Sequence, residues 1–197
     1  MIDIYKTAAI MLLTSLLLLG TSEISKAEYD PAAIPEELIE SRIAQDPENH
    51  AARIVAGFMH FDTGRFSKAE KHFAKAASIT PDDPYDQIWL YMSQLRQNAK
   101  AQDGQIRAFV ERNKSKEFIY TDITILLGDI PPNKGIEQAE LSKDLGNVCE
   151  AYYYAAQRLF ADGNKKQAEE YLFKAVETEQ TSFWEYKSAL AYLRQNK

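Results

Sequence analysis

The stretch from Phe61 to Asp83, FDTGRFSKAEKHFAKAASITPDD, has the pattern of one helix with a break before it and a stop after it. Gly64 interrupts the preceding helical pattern, and Pro81 ends the helix because proline cannot continue one. One face of the helix is marked by Ala69, Phe73 and Ala76. This apolar stripe is too narrow to bury a helix alone, so the stretch predicts a helix that packs against neighbours.

The spacing of this stretch recurs upstream. Pro47 and Pro81 are 34 residues apart, and each follows a helical pattern and precedes an acidic turn. A period of 34 residues is typical of an array of paired helices. When the unit is numbered from His50, its marker positions are Gly57, Gly64, Ala69, Phe73, Ala76 and Pro81. Small residues let two helices approach closely, and Gly64 permits a left-handed turn between them.

The same register reappears toward the C terminus, starting from Cys149. Its marker positions are Tyr152, Ala156, Gly163, Ala168, Leu172 and Ala175. Gly64 and Gly163 are 99 residues apart, close to three periods, which predicts two irregular hairpins between them. We therefore predict an all-α fold, a right-handed solenoid of antiparallel helix pairs. The recognisable repeats are 50–83 and 149–182, and the degenerate hairpins are about 84–115 and 117–144.

Both flanks of the array have helical patterns. The segment 34–46 predicts a short helix beginning at Pro35, an accepted first position. The segment 182–195 predicts a closing helix capped by Ser182, with Trp184 and Leu190 facing the last hairpin. Such capping helices are needed because each end of an array otherwise leaves an apolar face in water.

The first 27 residues form a separate unit with the pattern of a signal peptide. Lys6 precedes the apolar run AAIMLLTSLLLLG, which is too short to span a bilayer comfortably, and Ser25-Lys26-Ala27 matches a cleavage site. The predicted mature domain is 28–197, in the periplasm or secreted, with no stable membrane anchor after cleavage. The alternative is an uncleaved anchor. Cys149 is the only cysteine, so no internal disulfide is expected, and a buried structural thiol is the favoured interpretation.

Composition limits the class of partner. The 197 residues are 45% hydrophobic, enough for a packed core, and the net charge of −6 argues against nucleic acid as a partner. No HExxH, glycine-rich phosphate loop, CxxC or GxSxG motif occurs, so we predict no enzyme and no cofactor. We also expect no metal site, because His60 and His72 fall on opposite helices of one hairpin without further ligands at close spacing.

The two registers resemble those of tetratricopeptide-repeat (TPR) proteins. Over roughly Asp46 to Gln195, the segments DPYDQIWLYMSQ, LLGDI, YYYAAQRLFADGNKKQAEEYLFKAVE and FWEYKSALAYL resemble the NlpI-type periplasmic lipoproteins of Gram-negative bacteria. That resemblance implies an adaptor that brings peptidoglycan hydrolases and a tail-specific protease together at the cell envelope. Two departures are the missing lipidation cysteine, where Thr21 follows the apolar run, and a shorter N-terminal side.

The remaining prediction concerns a partner surface. In a repeat of this kind, set positions of each first helix line a concave groove. The predicted partner-binding residues are Ile54, Phe58, Phe61, Tyr153, Gln157 and Phe160. Their largely apolar character favours an apolar or aromatic contact with a helix or an extended peptide. The alternative is that neighbouring helices such as 34–46 already cover Ile54 and Phe58.

Two functions follow from these observations. The first is an exported, non-catalytic adaptor that binds envelope proteins through the groove. The second is a constitutive structural subunit of a secreted or envelope complex. A homo-oligomer is left open by the sequence.

Overall fold

The protein is all-α wherever the structure, a computed structural model, describes it: residues 30, 33, 35–98, 101, 103–113 and 117–196. Ten helices and no strand occur there, which confirms the predicted all-α class. The helices are α1 (Glu36–Gln45), α2 (His50–Asp62), α3 (Phe66–Ile79), α4 (Pro84–Gln97), α5 (Gly104–Asn113), α6 (Ile119–Leu127), α7 (Pro132–Ser142), α8 (Leu145–Ala161), α9 (Lys165–Glu177) and α10 (Trp184–Gln195). The predicted signal peptide, 1–27, lies outside the described residues.

Two hairpins, α2–α3 and α8–α9, are built in the same way. In each, three residues join two helices that pack extensively against one another. The turns contain Gly64 at φ 74° and Gly163 at φ 79°, so the predicted left-handed glycine turns are confirmed. Between these hairpins, α4 and α5 fall within 84–115, and α6 and α7 fall within 117–144.

Side-chain caps fix several helix starts. The side chains of Asn49, Asp83 and Asp144 accept backbone N–H bonds at the starts of α2, α4 and α8. Because Asp144 caps α8, that helix begins at Leu145, one turn before the expected start of its repeat. The expected Ser182 cap is wrong, since the residue before α10 is Phe183 and it makes no side-chain cap bond.

The core gathers around α8, which packs against α4, α6, α7, α9 and α10. Trp89 of α4 lies at the centre of an aromatic cluster. Its ring centroid is 4.6 Å from Phe58, 5.2 Å from Phe61 and 5.6 Å from Tyr153. Trp89 thus connects the first hairpin to α8, which is far away in the sequence.

The last helix returns to the first hairpin. Trp184 of α10 stacks on Phe58 of α2, with ring centroids 4.0 Å apart and an interplanar angle of 17°. The expectation that Trp184 faces the last hairpin is therefore incomplete, because α10 packs on α2 as well as on α8 and α9. Within the described segments, no helix has both the length and the apolar character required to cross a membrane.

Candidate functional site

The residues predicted to line an open groove lie mainly in the core. The buried ones are Ile54, Phe58, Phe61, Tyr153 and Gln157. Phe160 is half-buried, with its ring 5.0 Å from that of Tyr192 and 4.6 Å from the guanidinium carbon of Arg96. The expected exposure of this face is therefore wrong.

Two helices cover the predicted groove. Trp89 of α4 and Trp184 of α10 both contact the Phe58 ring, and the Gln157 Oε1 accepts a 2.8 Å hydrogen bond from Arg96. The alternative cover, the helix at 34–46, packs elsewhere, since α1 shares a small apolar cluster with Ala52, Val55 and Ala56. The face is thus filled from within the chain, by α4, the next helix after the first hairpin, and by α10, which is distant in sequence.

A small cavity of about 30 Å³ remains beside this face, where α2, α4, α8 and α10 meet. Its walls include Phe58 and Trp184 together with the carboxylates of Asp86, Glu150 and Glu185. The volume accommodates about one or two waters and is far below the size of an ordinary ligand pocket. The cavity therefore suits internal solvation of buried acids and does not suit substrate binding.

An unusual group of acids is buried next to that cavity. The hydroxyl of Tyr85 donates to Glu150 Oε1 at 2.8 Å, and that of Tyr154 donates to Glu185 Oε1 at 2.6 Å. Asp122 of α6 is fully buried, and neither of its carboxylate oxygens has a hydrogen-bond partner among the described residues. Burial, together with the charges of Glu150 and Glu185, raises the pKa of Asp122 well above its ordinary value. Asp122 is therefore biased toward its neutral form.

Cys149 is buried in the second turn of α8, as expected. Burial raises the pKa of its thiol to about 12, so the thiolate that a nucleophile requires is scarce at neutral pH. This environment favours a packing role for Cys149.

A wider cleft lies between α3, α4 and α5 and has a volume of about 410 Å³. Its lining is rich in amides, with Gln94 and Gln97 donating to the Glu70 carboxylate at 3.2 and 2.7 Å. These two lining amides are thus engaged with a neighbouring side chain, and an amide is neither a nucleophile nor a general base.

The large apolar side chains that are most exposed lie in the C-terminal half of the described chain. Leu141 is 80% exposed and Leu145 is 57% exposed, and they flank the turn that joins α7 to α8. We call this pair the α7–α8 elbow. Phe173 on α9 is also 56% exposed. The repeat pattern does not predict the elbow, because Leu141 and Leu145 fall outside the groove positions of the first helix in each repeat.

A second cluster lies at the other end of the array, where Glu40 of α1, His60 of α2 and His72 of α3 converge. One candidate ligand atom from each residue lies within 4.8 Å of the other two. The His72 Nε2 is 3.4 Å and the His60 Nε2 is 4.0 Å from Glu40 Oε1. The two imidazoles stack with centroids 5.3 Å apart. The histidines do sit on opposite helices as predicted, and the sequence analysis missed Glu40.

The imidazoles of this cluster are suited to the neutral state. Burial, with Arg65 as the next cause, lowers the pKa of His60 to about 4, and burial likewise lowers that of His72. Neutral imidazole is the form that coordinates metal ions. Among the residues that the structure describes, the carboxylates that lie within 4.0 Å of the two imidazoles are those of Glu36 and Glu40.

Comparison with known proteins adds no family assignment. No protein-family model matches the chain, and no solved structure matches it. The TPR assignment and the resemblance to NlpI-type lipoproteins therefore stay predictions.

Proposed function

We propose that this protein is an exported, non-catalytic adaptor of the cell envelope that binds other proteins through its helical array. The signal-peptide pattern of 1–27 and the resemblance to NlpI-type lipoproteins support export and an envelope partner such as a peptidoglycan hydrolase or a protease. The matching hairpins α2–α3 and α8–α9 support a TPR-like solenoid that has degenerate hairpins between them and α10 as its cap.

The observation that carries the proposal is the exposure of the α7–α8 elbow. Most large apolar residues of the described chain are packed inside, including those predicted for the groove, while Leu141 keeps 80% of its surface in water. Protein interfaces place such apolar side chains at their centre, where association removes them from water. We therefore assign the first partner contact to the elbow, with an apolar segment of another protein as its occupant.

Site-specific photocrosslinking tests this assignment in intact cells. A photoreactive phenylalanine analogue at position 141 should give a discrete crosslinked species, whereas the same analogue at exposed Lys166 on α9 should not. Adding Leu145→Lys to the protein labelled at position 141 should remove most of the product, because a charge then enters the apolar contact. Equal crosslinking from 141 and 166, or none from 141, would contradict the assignment to the elbow.

A second candidate function, a constitutive structural subunit, is favoured by the same high exposure of Leu141, since permanent interfaces are more apolar than transient ones. The two functions differ in whether the protein exchanges its partner. An adaptor should stay in solution when purified alone and bind its partner reversibly. A constitutive subunit should aggregate without its partner, and the Leu141→Lys variant should restore its solubility.

Export is tested separately. N-terminal sequencing of the protein from an osmotic-shock fraction should give a chain that begins at Glu28. A chain that begins at Met1 and pellets with membranes would instead support the uncleaved anchor.

A further inference from the structure

The strongest unassigned feature of the molecule is the convergence of Glu40, His60 and His72 from three separate helices. Tetrahedral zinc holds its nitrogen and oxygen ligands at about 2.0–2.2 Å, which places the ligand atoms about 3.3 Å from one another. The His72 Nε2 lies 3.4 Å from Glu40 Oε1, already at that separation, and the His60 Nε2 lies 4.0 Å from it. All three candidate atoms lie within 4.8 Å of one another, so each pair must close by at most about 1.5 Å to share one ion.

A second observation points to a ligand independently of these distances. His60 is completely buried, and neither of its ring nitrogens has a hydrogen-bond partner among the described residues. A buried polar group without a partner is costly, and few remain in native proteins. A metal ion bound through Nε2 would supply the partner that the surrounding helices do not.

The charges around the cluster permit a cation. Glu36 lies 3.8 Å from the His60 Nε2, and its carboxylate is also paired with Arg65 and with Lys68. Glu40 carries the negative charge closest to His72 and keeps 45% of its side chain exposed, which provides a route from solvent to the imidazoles. Three cationic side chains, those of Arg53, Arg65 and Lys68, also act on the imidazoles, and the two carboxylates offset part of that positive charge.

We propose that Glu40, His60 and His72 bind one zinc ion per chain, with the fourth position filled by solvent. Two imidazoles and one carboxylate form a donor set that zinc uses in proteins, and imidazole selects transition metals over Mg²⁺ and Ca²⁺. The ion would join α1 to both helices of the α2–α3 hairpin. Its role in this position is to hold α1 in place, since the apolar contact of α1 is a small cluster.

The test uses the full chain, stripped with a chelator and then titrated with zinc chloride by calorimetry. We expect one zinc per chain, with a dissociation constant at or below about 1 μM, and a zinc-dependent rise in melting temperature. Cobalt chloride should give the visible absorption of a tetrahedral site, and excess zinc should bleach it. Magnesium and calcium should give neither response.

Matched variants locate the ion. Glu40→Gln and His72→Gln should weaken zinc binding by roughly a hundredfold or more, because even groups that only orient metal ligands cost about 10–100-fold when removed. The controls are Glu37→Gln on the same helix and His50→Gln on the same hairpin, and both should bind zinc like the wild type. Glu40 is half-exposed, so its variant reports on binding even if His72→Gln folds poorly.

Two results would overturn the proposal. The first is a wild-type chain that binds no zinc, or gains no stability from it, at zinc concentrations up to about 100 μM. That concentration is far above the dissociation constant expected for a folded zinc site. The second is zinc binding that persists unchanged in Glu40→Gln, which would show adventitious binding at other surface groups.

Discussion

At the scale of single residues, close approach within a hairpin depends on one missing side chain. A Cβ atom added at Gly57 would lie 2.6 Å from the Cε1 and Cζ atoms of Phe73. The repeat pattern predicts that Gly57 faces Ala69 on α3, and the atoms nearest to a Cβ at Gly57 belong to the Phe73 ring, one turn further along α3. Gly57 thus makes room for a buried aromatic ring at the crossing of α2 and α3.

Gly57→Leu should destabilise the protein by about 1–3 kcal/mol or more, because four added carbons must displace the Phe73 ring from a packed core. Thermal unfolding followed by circular dichroism measures this. The matched control is Gly104→Leu, where an added Cβ meets nothing within 4 Å. Similar melting temperatures for the two variants would show that the α2–α3 crossing is looser than the structure indicates.

The effect of Asp122 on the free energy of unfolding should change with pH in a defined direction. Its pKa is raised in the folded protein, so as pH rises above the ordinary value of 3.8 only the unfolded chain ionises, and stability is lost. Asp122→Asn cannot ionise, so its stability relative to the wild type should grow between pH 4 and 7, by up to about 1.4 kcal/mol per pH unit. Urea unfolding at each pH measures the difference.

Asp129 provides the control of opposite sign. The Arg107 guanidinium holds the pKa of Asp129 below its ordinary value, so this carboxylate contributes stability above that value and loses it as pH falls. Asp129→Asn should therefore lose stability relative to the wild type only as pH rises from more acidic values to about 4, and only slightly, because the pair is exposed. Between pH 4 and 7 this difference should stay flat. The same pH trend in both variants would show that Asp122 is not held neutral.

At the scale of elements, the sequence located helix ends better than buried faces. Gly64, Gly163 and Pro81 act on the backbone locally, so their positions predict the turns without knowledge of the fold. The face of a helix that becomes buried depends on what packs there from elsewhere. Phe58 and Tyr153 have groove spacing, yet α4 and α10 arrive over that face and bury both side chains.

Burial of Tyr153 changes what its mutation should do. A residue of an exposed groove would affect partner binding, whereas a core residue affects the stability of the fold. With 1% of its surface exposed and its ring 5.6 Å from Trp89, Tyr153 is a core residue, so Tyr153→Ala should cost about 3–5 kcal/mol. Leu172→Ala in the α9 core should lower the melting temperature similarly, and Phe160→Ala less, because Phe160 is half-buried. A Tyr153→Ala protein that melts like the wild type would restore the exposed-groove interpretation.

At the scale of the whole molecule, the features that the sequence analysis missed join distant parts of the chain. Glu40 reaches His60 and His72 only because α1 folds back on the first hairpin, and Trp184 reaches Phe58 only because α10 crosses to α2. Neither contact produces a periodic pattern in the sequence. Periodicity shows which face of a helix is apolar, and it does not identify the helix that packs on that face. Repeat spacing therefore predicted the two hairpins, and it did not predict the packing of α1 and α10 on the first of them.

The packing of α10 on α2 predicts how the molecule unfolds. In a linear array each repeat contacts only its neighbours, so a mutation at one end leaves the other end intact. Here α10 packs on α2, so a destabilising change in the last hairpin should also destabilise the first hairpin. The chain has two tryptophans, and Trp184→Phe leaves Trp89 of α4, which packs on Phe58 of α2 and on Tyr153 of α8, as the single fluorescent reporter. In that background, Leu172→Ala should shift the Trp89 fluorescence midpoint together with the circular-dichroism midpoint.

One contact between α10 and α2 is the stack of Phe58 on Trp184, and a double-mutant cycle measures it directly. Phe58→Ala and Trp184→Ala should each destabilise the protein, and together by about 0.5–1.5 kcal/mol less than the sum, because the second change removes a stack that the first has already broken. The control pairs Phe58→Ala with Tyr171→Ala, whose ring packs on Tyr152 of α8 instead, and these two effects should add. Additive effects for Phe58 and Trp184 as well would mean that α10 touches α2 without stabilising it, and that this stack does not couple the two ends of the array.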